Sequence, residues 1–402
     1  MNEWKEYRIK DIASIGSGTT PSSNVERFYD PEEYHWINTG DFNDSEVFGG
    51  KQMISKAAIS EIPTLRFYPK DTVLVAMYGA SIGKVGMLKV EATVNQACCA
   101  IIPNKKKVLP YFLFYAFIDY KESLISKSFG GTQPNVSQKI ISNLVFKFPS
   151  LQEQKRIVEY LDKKLATIDH RIELLEKKKD AYARLKMSVI NQTVLRGINS
   201  NLALKHSGIE WIGMIPEHWK MKRFKEFAKA VKGKQCEYYD EQGDNMAVVL
   251  TVETLRQDIP TFYNYGIVED KKQLCNDKDI IIIWDGAGVG EFLKSKKGLL
   301  SSTTARIDVN EKIVLKRYLW HWRYGIEYRL KSIPTGMGIP HLNPTLLNNY
   351  MIPVPPLSEQ QTIADYLDEK CTKIDAAIEN ISKQLDASKR LKKAIINEAI
   401  CG

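Results

Sequence analysis

The chain is poor in the residues that build metal sites and disulfides. Its 402 residues include six cysteines and six histidines. Cys98, Cys99, Cys236, Cys275, Cys371 and Cys401 form no C-x2-C pair, and no two histidines stand at H-x3-H spacing. This argues against a metal site. Thiols so few and scattered fit a reducing cytoplasm. Long apolar runs are also missing. The stretch Asp279–Trp284 is strand-sized, well short of the ~20 residues a membrane helix needs. Met1-Asn-Glu-Trp-Lys-Glu6 has no apolar signal core. The expectation is a cytoplasmic protein that meets no membrane.

Catalytic motifs are lacking too. Gly79-Ala-Ser-Ile-Gly83-Lys84 is one spacer short of a P-loop and has Val85 where a hydroxyl would hold magnesium. Gly286-Ala-Gly288-Val-Gly290 has GxGxG spacing and no acidic partner in a βαβ frame. Asn343-Pro344-Thr345-Leu346 is not the Asn/Asp-Pro-Pro-aromatic box of an adenine methyltransferase. Cys98-Cys99 reads as part of a strand core, and His218-Trp219 and His321-Trp322 as packing or surface residues. No catalytic residue is assigned, and the chain does not read as an enzyme. A basic tail is likewise absent. The net charge of +9 is spread over the chain, as on a large composite surface.

What is present is a repeat. Residues 151–196 and 357–402 align without a gap at an offset of 206, with 20 of 46 positions identical. Leu151-x-Glu153-Gln154 meets Leu357-x-Glu359-Gln360, and Tyr160-Leu161-Asp162 meets Tyr366-Leu367-Asp368. Upstream the match is fainter: Trp4 with Trp219, Gly18 with Gly233, Gly79-Ala80-x-x-Gly83 with Gly286-Ala287-x-x-Gly290. The chain is one unit of about 200 residues written twice.

Both copies of the strong repeat lack proline and keep a seven-residue apolar period. The expected seam is Leu161, Leu165, Ile168, Ile172 and Leu175 in the first copy, and Leu367, Ile374, Ile378 and Ile381 in the second. Such a two-position seam flanked by charge marks long paired helices. A 46-residue helix is roughly 69 Å long, and one alone cannot bury its stripe. The economical arrangement is antiparallel packing of the two copies, which would set the globular units at opposite ends of a rod. A seam wider than two positions would instead favour packing of each helix on its own domain or on a partner subunit, and Leu185 and Leu391 lie outside the two main series. The helices differ in charge: 11 basic against 7 acidic residues in 151–196, 7 against 8 in 357–402. The globular units read as mixed α/β. Thr72–Ala76 and Ile280–Trp284 are expected strands, and Tyr111–Tyr120 and Tyr318–Tyr328 aromatic-rich helices.

Nucleic-acid binding is the function with most support. Polar and basic side chains recur in glycine-rich loops beside aromatics, and amide or guanidinium groups can read base edges while lysines hold phosphates. The candidates are Thr19, Thr20 and Ser22; Tyr78, Ser81 and Lys84; Thr132, Gln133 and Asn135. In the second unit they are Lys232, Lys234 and Gln235; Asp285; His341 and Asn343.

These residues together resemble the specificity subunit of type I restriction–modification systems. Three features carry the resemblance. One is the tandem Leu-x-Glu-Gln-x-x-Ile-x-x-Tyr-Leu-Asp at 151–162 and 357–368. Another is Ser207-Gly-Ile-Glu-Trp211-Ile-Gly213-x-Ile-Pro216-Glu-His-Trp219, and the last is the order of parts. The resemblance implies a target recognition domain over 1–150, a central helical region over 151–197, and a second recognition domain over 198–356, with 198–218 as linker. A C-terminal helical region over 357–402 would complete an antiparallel coiled coil. Each recognition domain would read one half of a split, asymmetric site in double-stranded DNA. The coiled coil would set the spacing. Two methyltransferase subunits would dock on the chain and bring S-adenosylmethionine, none being bound by the chain itself. Restriction/translocase subunits, each a translocating nuclease, would join them. The competing expectation is a two-headed assembly scaffold indifferent to DNA.

Overall fold

The computed structural model describes residues 4–127, 135–199, 201–259, 262–331 and 340–401. The chain forms two compact units, residues 1–177 with 382–402 and residues 178–381. Both are mixed α/β.

In the first unit a five-stranded sheet runs in the order Ala13–Ser17, Cys98–Pro103, Val73–Ala76, Val85–Leu88, Ser45–Val47. All its pairs are antiparallel except the last. Val73–Ala76 is fully buried, and alternation along the strand explains its unbroken apolar run. Val73 and Val75 face a core containing Phe112 and Phe117 of the aromatic helix Pro110–Asp119. Leu74 and Ala76 face a separate core with Ile37, Phe42 and Tyr68. Successive side chains point to opposite faces, so a strand covered on both sides must be apolar throughout. A smaller sheet orders Gln52–Ile54, Tyr34–Ile37 and Thr93–Val94. Lys5–Arg8 pairs with Val145–Phe148, just before the first long helix.

The second unit repeats this plan. Its sheet orders Ala228–Lys232, Thr304–Val309, Ile280–Ile283, Phe292–Lys294. Ile280 and Ile282 face one core and Ile281 another. The smaller sheet keeps both pairings of its counterpart: Met246–Leu250 is antiparallel to Tyr265–Ile267 and parallel to Gly298–Leu300. Lys220–Arg223 pairs with Met351–Val354. The aromatic helix is Lys316–Lys331. Within 198–218, Leu204–His206 and Met214–Pro216 form a short hairpin.

Gly18 and Gly233 are equivalent for a steric reason. A Cβ at Gly18 would lie 1.5 Å from the Val94 carbonyl oxygen, and one at Gly233 would lie 2.1 Å from that of Ser301. At both places the end of the outer strand of the larger sheet passes against the backbone of the smaller sheet, and only glycine fits.

The long helices are Leu151–Arg196 and Leu357–Cys401, and they pack as an antiparallel coiled coil. In the first unit Asp169 pairs with Lys392 at 2.6 Å and Glu176 with Lys389 at 3.9 Å. In the second, Lys186 reaches both oxygens of Asp375 at 2.7 Å. Lys186 interrupts the apolar series and is answered by this carboxylate. Leu161, Leu165, Ile168, Leu175, Leu367, Ile374 and Ile381 are buried. Ile172 and Ile378 are half-buried. Ser388, which breaks the second apolar series, is buried with its hydroxyl donating to the Gln384 carbonyl at 2.8 Å. Leu185 and Leu391 are both 48% exposed, so they do not widen the seam.

The repeated glutamines hold each long helix to its own globular unit. Gln154 is completely buried. Its Oε1 accepts from the Leu109 N–H at 2.8 Å, and its Nε2 donates to the carbonyls of Lys107 and Pro149 at 3.2 and 3.0 Å. Gln360 makes the same bonds with Leu315, Ile313 and Pro355 at 2.8, 2.9 and 2.9 Å. Each glutamine satisfies two backbone groups just ahead of an aromatic helix and one just ahead of its own long helix, groups that burial would otherwise leave unpaired. One turn-pair further on, Asp162 accepts from Tyr115 at 2.6 Å, and Asp368 meets His321 Nε2 at 2.8 Å.

Candidate nucleic-acid interface

Three loops far apart in sequence converge in each unit. In the first, Tyr78 forms an isolated antiparallel bridge with Asn135, and in the second Asp285 does so with His341. The surrounding bonds match as well. The Met77 N–H donates to the Ala97 carbonyl and the Met77 carbonyl accepts from the Val136 N–H, as the same groups of Trp284 do with Thr303 and Leu342. The equivalent positions are therefore Tyr78 and Asp285, Asn135 and His341. Strand register makes Ser17 and Lys232 the third pair, opposite Cys99 and Ala305.

The chemistry at these equivalent positions differs. Tyr78 is 46% exposed and Asn135 is exposed, which makes a neutral aromatic and amide surface. In the second unit Lys232 Nζ lies 2.7 Å from Asp285 Oδ2, and His341 Nδ1 lies 2.6 Å from Asp285 Oδ1. Burial opposes the Asp285 charge, but the His341 and Lys232 hydrogen bonds outweigh it and hold the carboxyl below its usual range. Lys232 also sits 5.9 Å from the centroid of the Trp284 ring.

The remaining candidates take several roles. Thr19 is anchored by its backbone: its N–H donates to Val94 at 3.1 Å and its carbonyl accepts from Trp36 Nε1 at 3.0 Å. The Thr20 hydroxyl bonds Gln96, and Ser22 is exposed. Ser81 lies in the helical turn Gly79–Ser81 and Lys84 just beyond it, both half-buried. Lys234 and Gln235 are exposed and line a cavity of about 270 Å³ with Tyr239 and Gln273. The Asn343 side-chain Oδ1 caps the helix Pro344–Asn349, accepting from the Thr345 and Leu346 N–H groups at 3.0 and 3.2 Å. That local bond occupies its amide oxygen, and the residue also lines a cavity with Gly286 and His341. Thr132 and Gln133 lie outside the described residues.

Residues 93–97 were not among the candidates, yet they join the loops. Asn95 Nδ2 donates to Asn38 Oδ1 at 2.9 Å, and Asn38 in turn approaches Gln52 Oε1 at 3.4 Å. With Gln96 on Thr20, the first unit carries a run of side-chain amides. The adjacent amides Asn95-Gln96 are the signal in the sequence, in a stretch without glycine. Cys98 and Cys99 lie in a strand with no exposure. Burial pushes the Cys99 thiol up to about 12 and raises that of Cys98 too. These are core sulfurs and not nucleophiles. No helix of the described residues is long and apolar enough to cross a membrane.

Comparison with known proteins fits this geometry. The family model of the type I restriction modification DNA specificity domain matches residues 1–181 and 216–387. The chain belongs to this family. Its relatives include the type I restriction enzyme MjaVIII specificity subunit of Methanocaldococcus jannaschii, 34% identical over 185 residues, which are 46% of this chain and 42% of that subunit. The MjaIX specificity subunit of the same organism is 23% identical over 419 residues, spanning 100% of this chain and 93% of that one. The fold is shared with a chain from a solved structure concerned with complex assembly and conformational transition of the type I restriction–modification system. The TM-score is 0.74 at 18% identity, over 99% of this chain and 97% of that chain. Family membership places the chain among specificity subunits, the non-catalytic DNA-recognition part of such enzymes.

Proposed function

We propose that each unit reads one half of a split, asymmetric DNA site. The long helices set the gap between the halves and dock two methyltransferase subunits. Those subunits bring S-adenosylmethionine and modify DNA, and restriction/translocase subunits join the assembly. One observation carries this reading. The same strand plan brings the same three loops together twice, but with different chemistry: Ser17, Tyr78 and Asn135 in one unit, Lys232, Asp285 and His341 in the other. One framework with two unlike contact surfaces suits an asymmetric target. Direct readout of base edges supplies specificity, and phosphate contacts supply salt-dependent affinity.

Methylome sequencing of a host with and without this gene tests the proposal. The expected result is loss of one bipartite methylated motif on deletion. An unchanged methylome, with binding of the assembled complex indifferent to salt, contradicts it and favours the scaffold.

A further inference from the structure

A lysine near DNA is ordinarily a flexible point charge that settles on phosphate. Lys232 is placed differently. It ends the strand Ala228–Lys232, and its ammonium is held 2.7 Å from Asp285 Oδ2 where three loops meet. The side chain remains 42% exposed, while Asp285 is only 16% exposed. The carboxylate is thus an inner anchor and the ammonium the outer, presented group. Asp285 is further fixed from its other oxygen by His341. An ammonium carries three donors and no acceptor, and a single carboxylate contact leaves it donors to offer.

A fixed group that only donates discriminates among bases. In the major groove guanine presents two acceptors side by side, N7 and O6. Adenine sets a donor beside its N7, cytosine shows a donor, and thymine pairs one acceptor with a methyl group. We propose that Lys232, positioned by Asp285, reads a guanine in the half-site of the second unit. This rests on the DNA-reading function proposed above. Ser17 occupies the equivalent place in the first unit, so the inference is confined to the second. Asp285 then acts as a positioning residue and makes no base contact of its own.

Selection of bound duplexes from a randomised pool tests this, using the full chain assembled with its methyltransferase subunits. The wild type should enrich a guanine at one position of one half-site. Lys232→Ala should relax that position alone, by about 5- to 150-fold. Lys232→Arg should retain it, because arginine also donates to N7 and O6. Asp285→Asn should weaken the same preference, and Asp285→Glu should restore it. The proposal is overturned if Lys232→Ala lowers affinity evenly for all sequences and reduces the salt dependence by about one phosphate contact. A wild type that enriches no sequence overturns the DNA-reading function itself.

Discussion

In the first unit Tyr115 donates to Asp162 at 2.6 Å; at the equivalent place in the second, buried His321 meets Asp368 at 2.8 Å, and Arg317 also pairs with that aspartate. A few residues away the buried glutamines make the same three bonds in both units. The converging loops share their backbone path and its glycines, but the side chains presented there differ: Ser17, Tyr78 and Asn135 against Lys232, Asp285 and His341. Divergence thus rises in steps from helix clamp to helix contact to loop surface. The clamp satisfies backbone groups, whose chemistry is the same in both units. The Tyr/His contact has only to hold an aspartate. Base-reading surfaces are free to differ where the bases differ.

The largest effect should come from the seam the units have in common. Leu161 and Leu367 are completely buried. Replacing either by alanine should cost about 2–5 kcal/mol, read by urea unfolding. Similar losses in both would sharpen the equivalence, and a loss in only one would break it. The clamp should come next. Gln154→Ala and Gln360→Ala each strand a buried N–H and weaken carbonyl pairing, at about 1–3 kcal/mol per unsatisfied group. Amide exchange should rise at Leu109 in the first variant and at Leu315 in the second.

The smallest effect separates the units by pH. Burial lowers the His321 pKa, against the pull of Asp368 and with help from Arg323 and Arg317. The folded state therefore resists a proton that the unfolded chain accepts near pH 6.5. Stability from this group is fully present above that pH and declines as pH falls through it. Tyr115 has no such transition, since burial raises its pKa. Unfolding followed from pH 7.5 to 5.5 should show a decline in the second unit that His321→Gln flattens. An unaltered profile in that variant would remove His321 from the account.

Much of the scaffold was legible from residues alone. A seven-residue period, two proline-free stretches and 20 shared positions give little alternative to long paired helices. The alternating cores around Val73–Ala76 and Ile280–Ile283 follow from unbroken apolar runs. The purpose of Gln154 and Gln360 was not legible, because a glutamine among charged residues reads as helix surface. Burial appears only once the loop before each aromatic helix folds over it. The convergence of residues 17, 78 and 135 was hidden for a related reason: it depends on strand order, which local patterns do not encode. Asn343 reads as a loop amide in the sequence, and its capping role is hidden there because the helix it starts is only six residues long. Asn95 and Gln96 stand in a stretch, 91–100, without glycine or basic residues, so no local pattern marks them.

The central claim is that the two units read separate halves of one site. Methylome sequencing of a host carrying the full chain with Tyr78→Ala and Asn135→Ala tests it most directly. The account predicts a motif relaxed in one half only, with the other half and the gap unchanged. A motif altered in both halves, or altered in neither, would contradict it.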